Sequence, residues 1–252
     1  MKSSENINHA ERAHATLSPS AAKRWMSCPR SVNLIQQIAS HSGGSLSLAH
    51  SGDRVADEGT MAHEISEALL RLRTEKDRGN ITFLKEKAHE LIEKAKSAGF
   101  YTAEFSEGVK IYGDYILDLI KNNSLKIYSF EKRLDFSAYI SDCFGTCDFC
   151  GYDEYNKHLH IADLKFGIGV RVDAKFNPQL MIYALAALEL YNADKITLHI
   201  IQPRIAKGIS TWSTTREILE FWRDSTLIPA AELTKNAHAP LMASESACQF
   251  CP

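Results

Sequence analysis

The chain is poor in everything that would place it at or across a membrane. None of its apolar runs approaches the roughly 18–20 residues that a membrane span requires. Its opening, MKSSENINHAERAHA, lacks the apolar core of a secretory leader. A cytoplasmic location is therefore expected. An excess of one charge is lacking as well, since 29 Lys and Arg stand against 31 Asp and Glu, for a formal net charge of −2. The molecule as a whole is not a basic magnet for nucleic acid, and any such contact must come from a local patch. Six cysteines in a reducing compartment are expected as thiols or metal ligands, not as a disulfide framework. No internal repeat is visible.

What is present is a chain of 252 residues, 44% hydrophobic, long enough to bury one sizeable core. Residues 1–16 are polar and aperiodic and are expected to form a flexible tail. Residues 17–252 are expected to form one domain: a mainly helical part (17–125), a sheet core (126–212), and a C-terminal helix with a cysteine tail (213–252). LSPSAAKRWMSCPRSVNLIQQI predicts a helix opened by Ser18 and Pro19 and broken near Cys28-Pro29. A Gly/Ser-rich loop follows from His41 to Asp53. Helices are expected from Glu58 to Arg73 with Thr60 as N-cap, from Ile81 to Ala98, and from Thr102 to Asn122. In the last of these Val109, Tyr112, Ile116, Leu119 and Ile120 recur at helical spacing. The period then changes. Strands are expected over 126–136, 145–155 and 158–167, the last two joined by a turn at Asn156-Lys157. Asn177-Pro178 opens a helix, 195–204 predicts a strand, and 209–212 a short one. Thr214 to Glu217 fits a capping box for a last long helix. This order is α+β with a mixed sheet.

Chemistry concentrates in the second half. Asp148 falls in the second predicted strand, and Asp163 and Lys165 lie two apart on the third, so their side chains share a face. Gln179 and Tyr183 are four apart on the following helix. Upstream, His63 sits beside Glu64 on an amphipathic helix. Phosphodiester hydrolysis would explain the set. Carboxylates from adjacent strands, with the Leu164 carbonyl, make an oxygen seat for Mg²⁺ or Mn²⁺, and an imidazole favours Mn²⁺ alongside Mg²⁺. Such a cation lowers the pKa of a bound water, and a neighbouring lysine can stabilise developing charge. An isolated D-x-K means little, because an exposed strand explains it. The joint order of acid, short hairpin, D-x-K and Q-x-x-x-Y carries the reading.

GTCDFCGYD, IADLKFG and PQLMIYALAA resemble the G-x-x-D, D-x-K and Q-x-x-x-Y motifs of RecB-like PD-(D/E)xK nucleases, and GTMAHE resembles that family's histidine helix. SPSAAKRWMSCPRS is similar to the openings of phage- and prophage-encoded members. The resemblance covers roughly residues 17–252, and is only general near 75–125. It implies a restriction-endonuclease-like core: a mixed central sheet flanked by helices, with a helical N-terminal insertion. It also implies that His63, Asp148 and Asp163 bind metal, that Lys165 is the catalytic lysine, and that Gln179 and Tyr183 position DNA or the lysine. The implied activity is metal-dependent DNA cleavage, exonuclease favoured over endonuclease. Its implied setting is phage recombination or end processing in the bacterial host cytoplasm, with a recombination protein as partner.

RecB-like relatives include members that hold a 4Fe–4S cluster with one N-terminal and three C-terminal cysteines. By that resemblance Cys28, Cys248 and Cys251 are candidate cluster ligands. They number three where four thiolates are usual, and the fourth would be expected shortly after Pro252. A lost cluster, a different fourth ligand, and plain buried thiols all remain open. A metal knuckle of Cys143, Cys147 and Cys150 is disfavoured, because side chains alternate along a strand and Cys147 and Cys150 should point oppositely. Arg171, Lys175, Arg204 and Lys207 follow core strands and are candidate phosphate contacts, and Arg24 and Arg30 flank Cys28. Two other functions fit the same residues less directly: a structure-specific or single-strand endonuclease, and a non-catalytic DNA-binding or host-interaction module that keeps the fold. Buried like charges, costly without a cation, argue against the second.

Overall fold

The computed structural model describes residues 15–41, 53–76, 78–248 and 251. Most of the expected N-terminal tail and of the Gly/Ser-rich loop lies outside the described residues. Ala15 and Thr16 do not behave as tail: Ala15 is buried, and Thr16 N donates to Asp142 Oδ2 at 2.8 Å.

Five strands form one mixed sheet in sequence order: β1 (Ile127–Asp135), β2 (Phe144–Asp153), β3 (His158–Leu164), β4 (Lys195–Ile201) and β5 (Ile209–Thr215). Only β3 and β4 are parallel. Parallel neighbours need a crossover, and helix α6 (Pro178–Leu188) supplies it. Asn177 caps α6 by accepting from Leu180 N, with Pro178 in the first turn, and every residue from Leu180 to Leu188 is buried. A helix apolar all round belongs inside a core, and α6 is the centre of one.

Helices cover both faces of the sheet. On one face α6 packs with α1 (Ala22–Ser27), whose Trp25 is fully buried, and with the C-terminal helices α7 (Arg216–Trp222) and α8 (Ile228–Thr234). On the other lie α3 (Asp53–Thr74) and α5 (Ala103–Asn122), which bury Ile65, Leu70, Phe105, Val109 and Ile116 against Phe149, Ala162 and Leu164. Helix α4 (Arg78–Ser97) packs on α3, and α2 (Arg30–His41) on α8. The result is α+β, a mixed sheet flanked by helices, consistent with a restriction-endonuclease-like core.

Several local expectations need correction. Helix α3 starts at Asp53, so Thr60 is not its cap; its hydroxyl donates to Ala56 O within the helix. The break at Cys28-Pro29 is present, but Ser18 makes no side-chain cap. Thr215, not Thr214, precedes α7, and the last helix is interrupted by a π-helical turn at Arg223–Leu227 just before Pro229. β3 ends one residue before Lys165.

The pairing of β1 with β2 carries an irregularity. Phe130 faces Phe149 and Lys132 faces Cys147, but Glu131 and Asp148 between them form no ladder pair, and Glu131 has a φ of +49°. Phe130 and Phe149 pack toward α3 and α5, whereas Leu134 and Cys147 pack toward α6. The two strands therefore exchange faces at this point. This also corrects the cysteine argument: Cys147 and Cys150 share the α6 core, because strict alternation fails across Asp148.

Replacing Asn177 with alanine leaves Leu180 N without its cap and is expected to cost about 1 kcal/mol. Asn177→Asp should be nearly neutral. Urea unfolding of the three proteins checks both, and equal midpoints for Asn177→Ala and wild type would show that the cap contributes nothing.

Candidate functional site

The face exchange sets up the site. It brings the Asp148 carboxylate to the amide of Leu164 on β3, which donates to Oδ2 at 2.7 Å. From α3, His63 Nδ1 lies 3.3 Å from Asp148 Oδ2 and 3.8 Å from Glu131 Oε1. Among the described residues, His63, Glu131 and Asp148 are the group of three whose ligand atoms all lie within 4.8 Å of one another. The side chains of Glu131 and Asp148 are only 8% and 10% exposed. Glu67, one turn after His63 and buried, lines the same recess with Tyr112. Arg71, a further turn on, donates Nε to Glu67 at 2.9 Å and a terminal nitrogen to Phe130 O at 3.1 Å, tying α3 to the strand just before Glu131.

A second group adjoins the first. Asp163, 3% exposed in its side chain, places Oδ2 at 2.8 Å from Lys165 Nζ and accepts from Gln179 Nε2 at 2.7 Å on Oδ1. Lys165 Nζ also donates to Gln179 Oε1 at 2.9 Å. Gln179 thus fixes acid and lysine together, using both ends of one amide. Tyr183, one turn along α6, is buried, and the absence of a side chain at Gly145 makes room for it. A Cβ at position 145 would lie 2.9 Å from the Tyr183 hydroxyl oxygen. The glycine of G-x-x-D therefore answers the tyrosine of Q-x-x-x-Y.

Electrostatics follow from this crowding. Burial, with a contribution from Asp163 and Glu131, raises the Asp148 carboxyl to about 6 despite the opposing pull of His63. Burial also works against an imidazolium at His63, yet Asp148 and Glu131 outweigh it and hold His63 well above its ordinary value. Lys165 loses hydration to burial, but Asp163 more than restores its preference for the charged form. Burial pushes the hydroxyls of Tyr112 and Tyr183 well up, reinforced by the acids nearby. Carboxylates kept this dry beside one another call for a cation. An imidazole with two carboxylates suits a divalent metal.

The structure brings together His63, Asp148, Asp163, Leu164, Lys165, Gln179 and Tyr183. Leu164 takes part through its amide, and Asp163 is turned toward Lys165 and Gln179. Glu131 was not among the residues singled out by sequence. Its signal is faint, since a glutamate within a predicted strand is ordinary and its left-handed backbone is invisible in the sequence.

The expected basic surface divides. Arg204 is held between Glu58 at 2.8 Å and Glu104 at 2.9 Å, lies over the Phe166 ring, and is 12% exposed in its side chain. It ties α3 and α5 to the end of β4 instead of facing solvent. Arg171 and Lys175 are exposed, Arg171 beside Asp173.

Cys28 is buried beside the C-terminal segment: its Sγ accepts from Met242 N at 3.4 Å, and α1 packs against α9 (Glu245–Cys248). Burial pulls the Arg24 guanidinium below its ordinary value, against the thiols of Cys251 and Cys28. The two ends do meet. Cys143, Cys147 and Cys150 are buried in the α6 core, and among the described residues Cys28, Cys248 and Cys251 do not form a group with all ligand atoms within 4.8 Å of one another.

The protonation pattern predicts pH dependence. Between about pH 4 and 6 the metal-free folded protein holds a proton on Asp148 that the unfolded chain has lost, so stability falls as pH rises through that window. His63 acts in the same sense: its contribution is complete below roughly pH 6.5 and is lost as pH rises through its folded value. A divalent cation must displace these protons, so Mn²⁺ affinity should strengthen from pH 5.5 to 8, with proton release detectable in calorimetry. Asp148→Asn should raise the melting temperature of the metal-free protein at pH 8 by about 2–4 °C. A pH-independent Mn²⁺ affinity would show that these groups are not the ligands.

In comparison with known proteins, the crystal structure of LHK-Exo in complex with dAMP is similar to this chain at 8% identity, over 71% of this chain and 92% of that one, with a TM-score of 0.35. That likeness is too distant to bear on activity. A family model described as a protein of unknown function (DUF2800) matches residues 14–252. The match spans nearly the whole of the sequence, and the chain belongs to the DUF2800 family.

Proposed function

We propose that the chain is a divalent-metal-dependent deoxyribonuclease that hydrolyses phosphodiester bonds, acting as an exonuclease in DNA end processing or phage recombination. One observation carries this reading: His63, Glu131 and Asp148 converge beside a Lys165–Asp163–Gln179 network, all in or against the sheet. His63, Glu131 and Asp148 would hold Mg²⁺ or Mn²⁺; the Leu164 carbonyl would be a further ligand, and so would Asp163 once turned from Lys165 and Gln179. When bound, the cation supplies an activated water and charge compensation at the phosphate. Lys165, protonated and steadied by Asp163, stabilises the negative charge that grows on the phosphoryl oxygens. Gln179 orients the lysine ammonium. Tyr183, packed against Gly145, keeps α6 at the distance that lets Gln179 reach both partners. A purely structural role gives no reason to keep three carboxylates dry in one recess.

The test is cleavage of end-labelled linear and circular DNA with Mg²⁺ or Mn²⁺. Release of mononucleotides or short products from linear DNA, with circles spared, is the expected result; cutting of circles would make the protein an endonuclease. Lys165→Ala should lower the rate by about 10²–10³-fold while leaving Mn²⁺ affinity intact. Asp148→Ala should lose both affinity and rate, and so should Glu131→Ala. A Lys165→Ala protein that cuts at the wild-type rate would rule out this mechanism. A wild-type protein that binds DNA but cuts none with either metal would instead be the non-catalytic module.

A further inference from the structure

Residues 166–177 run from the end of β3, just past Lys165, to the start of α6, and the hydrogen bond between the Lys165 and Gln179 side chains joins the feet of this loop. The loop is pinned. Gln202, 2% exposed, donates Nε2 to the carbonyls of Gly167 and Val170 and accepts from Val172 N. Ala174 N donates to Ser210 Oγ on β5. A loop held by four such bonds is a platform of fixed shape.

What it presents outward is apolar and charged: two cations, Arg171 and Lys175, and one acid, Asp173, which lies 3.5 Å from Arg171. Ile168, Val170 and Phe176 are 59%, 48% and 62% exposed, with Arg171 and Lys175 among them. Phe176 has a φ of +54°, which a bulky side chain rarely adopts. Its ring lies 4.7 Å from that of Trp212, centroid to centroid, and Lys175 Nζ sits 5.6 Å from the Phe176 centroid. The backbone therefore takes an unfavourable conformation and leaves an aromatic ring largely in water.

The platform is close to the candidate site. Asp163 pairs with Ile200 and Ile200 with Ser210, so these three stand in one row across the sheet. Trp212 lies two residues from Ser210 along β5. Strand spacing and rise put it roughly 12 Å from Asp163, the span of about three to four stacked nucleotides.

We propose that Phe176 and Trp212 form a stacking platform for the bases of single-stranded DNA, with Arg171 and Lys175 meeting the adjoining phosphates and Ile168 and Val170 bordering the track. Aromatic faces interleaved with cations suit a strand whose bases are free to stack on protein, whereas a duplex keeps its base faces inside its own stack. The choice of DNA as ligand rests on the nuclease reading of the adjoining site, and the test separates the two.

Fluorescence anisotropy with phosphorothioate oligonucleotides, which resist cleavage, compares a labelled single strand with a blunt duplex of the same sequence. The wild-type protein should prefer the single strand. Phe176→Ala should weaken single-strand binding by roughly tenfold with little change for the duplex, and Phe176→Tyr should bind as wild type does. Thermal melting verifies that each variant is folded. If Phe176→Ala does not fold, Phe176→Gly, which suits the left-handed backbone, replaces it with the same expected loss. Equal binding of single strand and duplex by the wild type, or single-strand affinity unchanged by losing the ring, would overturn the platform. A protein that cuts DNA yet binds independently of Phe176 refutes the platform alone. One that binds through Phe176 but never cuts refutes the nuclease reading alone.

Discussion

Asp148, Glu131 and Asp163 are held together at 10%, 8% and 3% side-chain exposure, and much of the fold is arranged around keeping them so. Water can no longer screen these acids, and each needs a specific partner. The partners come from different elements: His63 from α3, the Leu164 amide from β3, Lys165 from the residue after β3, and Gln179 from α6. Removing one element orphans an acid, so the site and the sheet packing are one structure. The compensation is incomplete, as the raised Asp148 carboxyl shows. The remaining imbalance is what a divalent cation would relieve.

The outer supports of the site can be followed residue by residue. Asn177 and Pro178 fix where α6 starts, and so where Gln179 stands. Gly145 lets Tyr183 lie against β2 without pushing α6 away. On the opposite face, Arg71 joins Glu67 to the carbonyl of Phe130, immediately before the left-handed residue Glu131. Arg204 clasps Glu58 and Glu104, holding α3 and α5 to the end of β4. The two helical layers thus brace the point where β1 and β2 exchange faces.

Much of this was legible in the residues. Asn-Pro at 177–178 announced α6, and the alternating and continuous apolar runs gave the five strands and their order along the chain. D-x-K and Q-x-x-x-Y marked Lys165, Asp163 and Gln179 as a set through their joint order along the chain and its resemblance to RecB-like motifs, not through spacing alone. The parts that escaped depend on tertiary context. Thr60 looks like a cap, but α3 continues through it to Asp53, and Glu58 on that added turn is held by Arg204, a partner 146 residues away. Glu131 escaped because its role comes from a single left-handed φ inside a strand of ordinary pattern. The same irregularity defeated strict alternation at Cys147 and Cys150. Arg204 read as a phosphate contact because its two carboxylate partners are 100 and 146 residues away.

The near-neutral composition bears on how such a site could meet a polyanion. Three carboxylates in the recess repel a phosphate, and Arg204, shortly after β4, is already neutralised by its own acids. The positive groups among the described residues inside, His63, Arg71 and Lys165, are each already paired with an acid. On the proposed reading a DNA backbone would therefore be drawn into the recess only after a divalent cation has offset the local negative charge. On that reading binding of metal and of DNA would be coupled, each strengthening the other by the same factor. Exposed cations such as Arg171 and Lys175 lie outside the recess, where they can hold a strand without the metal. On the proposed reading, the chain divides its charge by task. A small basic and aromatic platform captures, and an acidic pocket stays closed to phosphate until a cation occupies it. A uniformly basic protein would bind DNA more tightly but could not make entry to the reactive site conditional on the metal.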